Sequence, residues 1–424
     1  SLDELIQQYD ASVKMHLEKD GIHILNETGE LIEKNPYCYQ IINGKVREIN
    51  SRFVLKDNKV SYQLEEYDPH YELVIDPEII FSTYVGAVSS NFGFTACNDL
   101  QGNLVSGGIS FGQNYPTTPG AINGSFNTTT GNFYDIVISK FNTDCSQLLY
   151  STFLGGSRQE TPHSLVVNND NEILILSVTG SSDFPTTATA YQTTFAGGTG
   201  FGMASLFIGT HPNGTDFAIT KIAADGSLAA STLVGLDAND GINRANGLFY
   251  NYGDVFRGEI NVDDDGNVYV ASVTEGNFPI AGNPAQPSFG GGNCDGVFFK
   301  LDGNLSTLLY SSYYGGSGDD ACYSIQFGMD GFPIICGGTT SPDFTMPGGG
   351  NDLSQNGNVD GFVIRIHPIT FAGVSGTFIG TTEYDQAYFI QTDYNNNIYV
   401  LGQTTGNMAI SPGCYGQVNS GLFV

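Results

Sequence analysis

The sequence predicts an all-β chain, in which a β-propeller of four-stranded blades follows a small antiparallel β module. Three observations predict this fold. A phrase of the form Tyr-Ser-Thr-Phe-Leu-Gly occurs five times, at 81–86, 150–155, 230–235, 310–315 and 375–380. The chain has 55 Gly and 12% aromatic residues but only 14% charged residues, which is typical of turn-rich β structure. No amphipathic pattern of helical period and useful length follows residue 20.

Two further phrases recur in fixed order with the first. One is a turn followed by an apolar strand, as in D-D-D-G-N-V-Y-V at 263–270, and its Gly or Asn tip suits a tight hairpin. The other is an Asp followed five residues later by a base, as in D-I-V-I-S-K at 135–140. With the strand before each turn, these phrases supply four strands in every unit.

The length of the repeat decides between all-β architectures. The aligned Thr or Ser residues of the first phrase are 69, 80, 80 and 65 residues apart. Four strands in this length match one propeller blade, because a sandwich needs about seven strands and a solenoid repeat is shorter. In the first phrase we expect aromatic residues on the inward face of a strand, alternating with Ser and Thr on the outward face.

The chain divides into two predicted parts. Residues 1–78 form the β module and hold 8 of the 15 basic residues, with alternating apolar runs joined by N-E-T-G and N-G-K turns. Residues 79–424 form the propeller, and we expect the chain to be cut within the fifth unit, with further blades beyond it. The strand at 81–86 precedes any complete unit, so it is expected to close the ring by completing the last blade.

These phrases resemble a known family. D-G-N-V-Y-V at 265–270 and S-S-D-F-P-T-T-A-T-A-Y-Q at 181–192 are similar to the bacterial β-propeller repeat described as seven-bladed (SBBP). E-K-N-P-Y-C-Y-Q-I-I-N-G-K-V at 33–46 resembles a β domain that commonly precedes such repeats. The resemblance implies an adhesin-like protein, secreted or at the cell surface, of bacteria with type IX secretion, and no catalytic residues can be carried over. The chain departs from the pattern by lacking Pro at Thr345 and Ala409 and by insertions at 193–214 and 236–260.

Charge and cysteine content exclude several classes of partner. A formal net charge of −29 disfavours nucleic acid and anionic membrane surfaces, and no run of about 18 apolar residues predicts a membrane span. The seven cysteines show neither a CxxC pair nor zinc-type spacing, so their pairing stays open. We therefore expect no cofactor, with calcium as the one alternative, and a protein or glycan partner at the cell exterior, which includes the secretion or surface machinery.

Few motifs predict chemistry. Ser110 lies in G-I-S-F-G without the helix that a nucleophile elbow needs, and the glycine-rich 198–202 likewise lacks a following helix, which favours a loop. The best metal candidate is the turn of Asp263, Asp264 and Asp265, whose carboxylates suit Ca²⁺, with the S-G-D-D sequence at 317–320 as a weaker one.

One basic position recurs in four units. The residues are Lys140, Lys221, Lys300 and Arg365, each five residues after an Asp. Copies in every blade indicate a structural role rather than an active site. Because the odd spacing puts acid and base on opposite faces of the strand, we expect the base to pair with another carboxylate or a carbonyl between blades.

The insertions carry the candidate ligand contacts, because propeller loops cluster on the two faces of the ring. The candidates are Phe201, Phe249, Tyr250, Tyr252 and Phe256, and the alternative is that these rings merely pack on the blades. The favoured function is a non-enzymatic extracellular scaffold or interaction module. The alternatives are a glycan hydrolase or lyase built on a propeller, and a calcium-stabilised adhesin.

Overall fold

The computed structural model describes residues 7–8, 14–19, 21–26, 29–56, 59–76, 85–127, 134–202, 210–250, 252–409 and 421–423. Its contacts divide the chain into two compact units, Ser1–Thr83 and Tyr84–Val424. The predicted boundary between residues 78 and 79 lies outside the described residues and stays a prediction.

The described residues of the first unit contain the strands β1 (Gln7–Gln8), β2 (Lys14–Leu17), β3 (Gly21–Asn26), β4 (Gly29–Lys34), β5 (Tyr37–Ile42), β6 (Lys45–Ile49), β7 (Ser51–Lys56), β8 (Lys59–Leu64) and β9 (Leu73–Asp76). They form three antiparallel sheets, with strand orders β1-β8-β7, β2-β3-β4 and β6-β5-β9. The N-G-K turn joins β5 to β6, and Asn43 and Gly44 both adopt positive φ (53° and 75°), as a two-residue hairpin turn requires. Ile22, Phe53 and Val60 form the buried core.

The second unit contains the predicted repeats as antiparallel sheets, which we name blades 1 to 5. Blade 1 is β10 (Asn91–Asn98), β11 (Leu104–Ser110), β12 (Asp135–Phe141) and β13 (Leu148–Leu154). Blade 2 is β14 (Glu160–Val167), β15 (Ile173–Thr179), β18 (Asp216–Ile222) and β19 (Leu228–Val234). Blade 3 is β20 (Glu259–Val262), β21 (Val268–Thr274), β22 (Asp295–Leu301) and β23 (Leu308–Tyr314).

Blade 4 is β24 (Asp320–Phe327), β25 (Pro333–Thr339), β26 (Asp360–Ile366) and β27 (Gly373–Ile379), and blade 5 is β28 (Asp385–Thr392), β29 (Ile398–Thr404) and β30 (Leu422–Phe423). The insertions add a hairpin of β16 (Phe201–Gly202) with β17 (Thr210–His211), so the glycine-rich segment expected to be a loop ends in a strand. They also add two 3₁₀ helices, Asn246–Leu248 and Tyr252–Phe256.

The predicted hairpin turn is confirmed in all five blades. In each one, a residue of the turn between the first and second strands adopts positive φ, between 61° and 79°. Gly and Asn tolerate this conformation, which explains why the tips of the second phrase are rich in these residues. The turn residues are Gly102, Asn171, Gly266, Gly331 and Asn396.

The blades surround a common axis. The first strands of consecutive blades contact each other, and the inner segments of all five blades border one central cavity. Strand order within a blade follows sequence order, so the first strand is innermost and the Tyr-Ser-Thr-Phe strand is outermost. The β-propeller prediction is therefore confirmed. Ring closure by residues 81–86 is not tested, because 81–84 lie outside the described residues.

Neighbouring blades share their cores. The largest cluster joins Leu176 and Phe217 of blade 2 to Val270 and Phe299 of blade 3. Each sheet thus removes the apolar face of its neighbour from water, which a single four-stranded sheet cannot do for itself. No helix among the described residues is long and apolar enough to cross a membrane.

The expectation for the outermost strand was wrong in one respect. Ser151 and Thr152 are as buried as Phe153, so the strand has no open outward face. The loop between the second and third strands folds over it, and the amide of Thr118 donates to the Ser151 carbonyl at 3.0 Å. The Thr187 amide likewise donates to the Ser231 carbonyl, and in blade 3 the Ser311 amide donates to the Ala281 carbonyl, so the same loop covers the outermost strand in blades 1 to 3.

Candidate functional site

The central cavity of the propeller is the best candidate for a binding site. It has a volume of about 780 Å³, and its wall is mainly apolar, with several aromatic side chains. Large, mostly apolar cavities with a few polar groups are the usual form of a ligand site. The aromatic side chains that line it are Phe92, Phe94, Tyr134, Phe256, Tyr323, Tyr388 and Phe389.

A β-bulge in the innermost strand carries one ring of this wall in each of four blades. The strand register shifts at Phe94, His163, Tyr323 and Tyr388, each of which is left without a partner on the second strand. A bulge re-aims the side chain of its extra residue, and here the extra residue faces the cavity. One repeated backbone feature thus places four rings of the wall, and the insertion at 236–260 adds Phe256.

His163 is the most unusual polar group of the wall. It is 8% exposed, and burial lowers the pKa of its imidazole to about 3, so the ring is neutral at physiological pH. Neither ring nitrogen has a hydrogen-bond partner in the structure. Its ring lies 6.3 Å from that of Phe256. A neutral imidazole has one donor and one acceptor, so it could orient a ligand.

The two charged side chains of the wall are both engaged. The Arg257 guanidinium lies 3.5 Å from the centre of the Tyr388 ring and donates to Asp254 at 3.0 Å. The Glu259 carboxylate accepts hydrogen bonds from the Ser324 hydroxyl and, at 2.8 Å, from the Ile325 amide. Burial raises the pKa of Glu259 above its ordinary value. This carboxylate therefore ties blade 3 to blade 4 beside the axis.

The predicted aromatic contacts do not form one site. Phe256 lines the cavity, with its ring 5.5 Å from that of Phe94. Phe201 stacks on His211 at 5.0 Å and beneath Arg244, and Phe249 packs against the core shared by blades 2 and 3.

Tyr250 is 56% exposed and contacts Tyr384, and the side chain of Tyr252 lies outside the described residues.

Sequence reasoning missed the bulge residues, although the sequence contains a signal for them. Each bulge residue stands three positions after the first residue of its innermost strand. The pairs of first residue and bulge residue are Asn91 and Phe94, Glu160 and His163, Asp320 and Tyr323, and Asp385 and Tyr388.

The four repeated bases each pair with a carboxylate, but within their own blade rather than between blades. Lys140 lies 2.8 Å from Asp99, and Lys300 lies 3.0 Å from Asp263. The same position pairs Lys221 with Glu172 and Arg365 with Asp330. The hairpin turn places its acid beside the third strand, which the sequence spacing could not reveal. Lys221 also donates to the Gly303 carbonyl of blade 3 at 2.8 Å, which is a contact between blades of the predicted kind.

The predicted calcium turn is held by protein donors. Asp263 accepts hydrogen bonds from the Asn267 amide at 2.8 Å and from the Tyr269 hydroxyl at 3.1 Å, in addition to Lys300. Asp264 and Asp265 are exposed. Asp263 therefore closes the turn and orients the lysine, and calcium at this turn stays a prediction.

The remaining sequence candidates have structural surroundings. Ser110 is fully buried, and its hydroxyl donates to the Gly112 carbonyl at 3.2 Å. In the S-G-D-D sequence, Asp319 accepts from the Asn293 amide at 2.7 Å. The six described cysteines are all free thiols, and Cys414 lies outside the described residues.

Comparison with known proteins adds the following. Residues 3–78 match the model of a domain of unknown function, DUF7948. No curated protein matches the chain significantly. A protein of unknown function from Dyadobacter fermentans DSM 18053 is 11% identical, with a TM-score of 0.39 and 96% of each chain covered.

Two other solved structures are similar at the same level. A structure described as NanB plus Optactamide is 9% identical, with a TM-score of 0.40, 83% of this chain covered and 62% of that chain. The Dos1 propeller is 10% identical, with a TM-score of 0.32, 74% of this chain covered and 69% of that chain. These similarities concern the fold alone.

Proposed function

We propose that the chain is a non-enzymatic interaction module of the bacterial cell exterior that binds a glycan or peptide in the central cavity of its propeller. The observation that carries this proposal is the repeated bulge, which directs Phe94, His163, Tyr323 and Tyr388 at one space. Rigid aromatic rings bind flat apolar ligand faces at a low cost in conformational entropy.

The carboxylates of the cavity favour binding over hydrolysis. Most glycoside hydrolases use two carboxyl groups about 5–9.5 Å apart, one of which must donate a proton. Glu259 is the one carboxylate among the described residues that line the cavity, and it already accepts bonds from blade 4. The arrangement therefore supports a ligand site more than a pair of acid and base catalysts.

The exterior location is supported by composition and resemblance. A net charge of −29 keeps a large repeat protein soluble and disfavours nucleic acid. The resemblance of the repeated phrases to SBBP proteins agrees with an adhesin-like role in a type IX-secreting bacterium.

A glycan and peptide array probed with the intact chain tests the proposal, and a hydrolase and lyase screen on the same preparation tests the enzymatic alternative. We expect bound ligands without turnover, and Phe94→Ala should weaken binding about tenfold or more. Tyr394→Ala is the matched control, because this ring is 68% exposed and does not line the cavity. Turnover of a glycan, or binding that Phe94→Ala leaves unchanged, would contradict the proposal.

A further inference from the structure

Pairs of buried carboxylates recur where one blade meets the next. One member begins the third strand of a blade, and the other stands at the entry to the following blade, shortly after the Tyr-Ser-Thr-Phe strand. All eight side chains are at most 1% exposed. The four pairs, which we call the junction pairs, are Asp135 with Glu160, Asp216 with Asp240, Asp295 with Asp320, and Asp360 with Asp385.

In three of the four pairs, a glycine (Gly155, Gly235 or Gly315) lies beside both members. A Cβ placed on Gly315 would lie 2.6 Å from Asp295 Oδ1 and 2.9 Å from Asp320 Oδ2. On Gly235 it would lie 2.6 Å from Asp240 Oδ2 and 2.8 Å from Asp216 Oδ1. Both carboxylates therefore reach one small space beside the glycine, which explains why the first phrase ends in Gly.

Some of the carboxylate oxygens in these pairs accept hydrogen bonds from N–H and O–H donors. Asp216 accepts from two backbone amides at 2.7 Å, and Asp295 accepts from the Gly290 amide at 2.6 Å. Asp320 accepts from the Gly316 amide at 2.7 Å and from the Ser341 hydroxyl at 2.6 Å. Donors of this kind stabilise the ionised form of a carboxyl group.

Other carboxylate oxygens in the same pairs have no hydrogen-bond partner. Both oxygens of Asp240 and one oxygen each of Asp295 and Asp320 are buried and have no hydrogen-bond partner of good geometry. The same holds for one oxygen each of Asp135, Glu160, Asp360 and Asp385. The hydroxyl of Thr274, which stands opposite Asp240, also has no hydrogen-bond partner of good geometry, although it lies close enough to oppose the rise that burial causes in the pKa of Asp240.

The charge of these pairs is uncompensated by protein groups. No ion pair joins any of the eight carboxylates to a base among the described residues, and the charges around them are other carboxylates: Asp183, Glu275, Asp319 and Asp352. Burial raises the pKa values of Asp135 and Asp295 to about 7, and those of Asp216, Asp320 and Asp360 to about 6. Two buried carboxylates of like charge need a proton or a cation between them.

The pattern of hydrogen-bond donors favours a cation over a shared proton. A neutral carboxyl group can also accept a hydrogen bond at its carbonyl oxygen, but in the Asp295–Asp320 pair both members accept amide hydrogen bonds, which stabilise the ionised form of each. Two carboxylates, with a hydroxyl such as that of Thr274, form a cluster of hard oxygen ligands, and Ca²⁺ prefers such oxygens at 2.3–2.6 Å. We infer that each junction pair binds a calcium ion, which bridges the third strand of one blade and the entry to the next. These sites differ from the turn at Asp263–Asp265.

Calcium stoichiometry tests the inference on the intact chain. After treatment with EGTA, equilibrium dialysis against about 1 mM Ca²⁺ at pH 7.5 should give up to four bound ions, one for each junction pair. Asp240→Asn should remove one ion, and Asp240→Asn with Asp320→Asn should remove two. Asp264→Asn is the matched control, because Asp264 is an exposed turn carboxylate, and it should leave the number unchanged.

Melting of the wild-type chain gives a second readout that does not depend on any variant. Ca²⁺ should raise the melting midpoint at pH 7.5 by about 5 °C or more over EGTA, because it binds only the folded state. A wild-type chain that retains no calcium overturns the inference, as does loss of ions from Asp264→Asn alone. A midpoint that ignores Ca²⁺ but rises on acidification to pH 5.5 also overturns it, in favour of a shared proton.

Discussion

Replacing Lys140 with Met should destabilise the propeller far more than the same change at Arg365. The Asp99 side chain is fully buried and that of Lys140 is 9% exposed, so Lys140→Met leaves an uncompensated charge inside blade 1. Breaking a buried pair in this way costs about 3–5 kcal/mol. In the Arg365–Asp330 pair the side chains are 29% and 34% exposed, and water can solvate the remaining carboxylate, so that change should cost less than about 1 kcal/mol.

Urea unfolding followed by circular dichroism measures both costs, and a second change provides the control. Lys140→Met combined with Asp99→Asn should regain part of the lost stability, because the buried charge is removed with its partner. Equal losses at Lys140 and Arg365, or no recovery in the double variant, would refute the reasoning.

The same pair predicts a pH dependence. Burial opposes ionisation of Asp99, but hydrogen bonds from Lys140 and Asn103 outweigh it and hold the pKa of Asp99 below its ordinary value. The pair therefore stabilises the fold above about pH 4, and this contribution is lost as the pH falls through the lower pKa of the folded state. Lys140→Met should weaken that dependence, which urea unfolding between pH 2 and 7 would show.

Three further predictions concern the glycines, the core and the junction pairs. Gly315→Ala should lower the free energy of unfolding by about 2 kcal/mol, because the added Cβ would meet the Asp295 carboxylate. Gly348→Ala is the control and should change the stability little, because the space around Gly348 is open. Equal effects of the two changes in thermal melts would contradict this prediction. Phe298→Ala, at 0% exposure, should cost about 3–5 kcal/mol, and Phe389→Ala, at 51% exposure, much less, as measured by urea unfolding. In EGTA, the free energy of unfolding should fall as the pH rises from about 4 to about 7. The reason is that the pKa of Asp295 is about 7 in the folded state, whereas the unfolded chain binds this proton less tightly. A free energy of unfolding that rises over this range would argue against buried junction pairs.

The blade architecture could be predicted from sequence because each of its determinants is local. Positive φ at Gly102, Asn171 and their equivalents follows from turn chemistry, and the strand order within a blade follows from short hairpins. The burial of the outermost strand could not be predicted, since it depends on a loop that folds back over Ser151 and Thr152.

The candidate site was harder to predict because it combines residues from several repeats. The aromatic or imidazole residue three positions into each innermost strand is visible in the sequence, but only a β-bulge turns Tyr323 and Tyr388 toward the axis. The junction pairs show the same limit. Asp295 was recognised as a repeated acid, but its partner Asp320 belongs to the next blade, and the contact exists only once the blades are packed.

X-ray diffraction from crystals of the chain grown with Ca²⁺, with anomalous differences recorded at a long wavelength, tests the central claim most directly. That claim is that four-stranded blades pack around one axis and enclose charged pairs at their junctions. We predict a ring of blades with an anomalous peak between Asp216 and Asp240 and another between Asp295 and Asp320. Blades stacked in a line, or junction carboxylates bonded directly to each other with no peak, would contradict it.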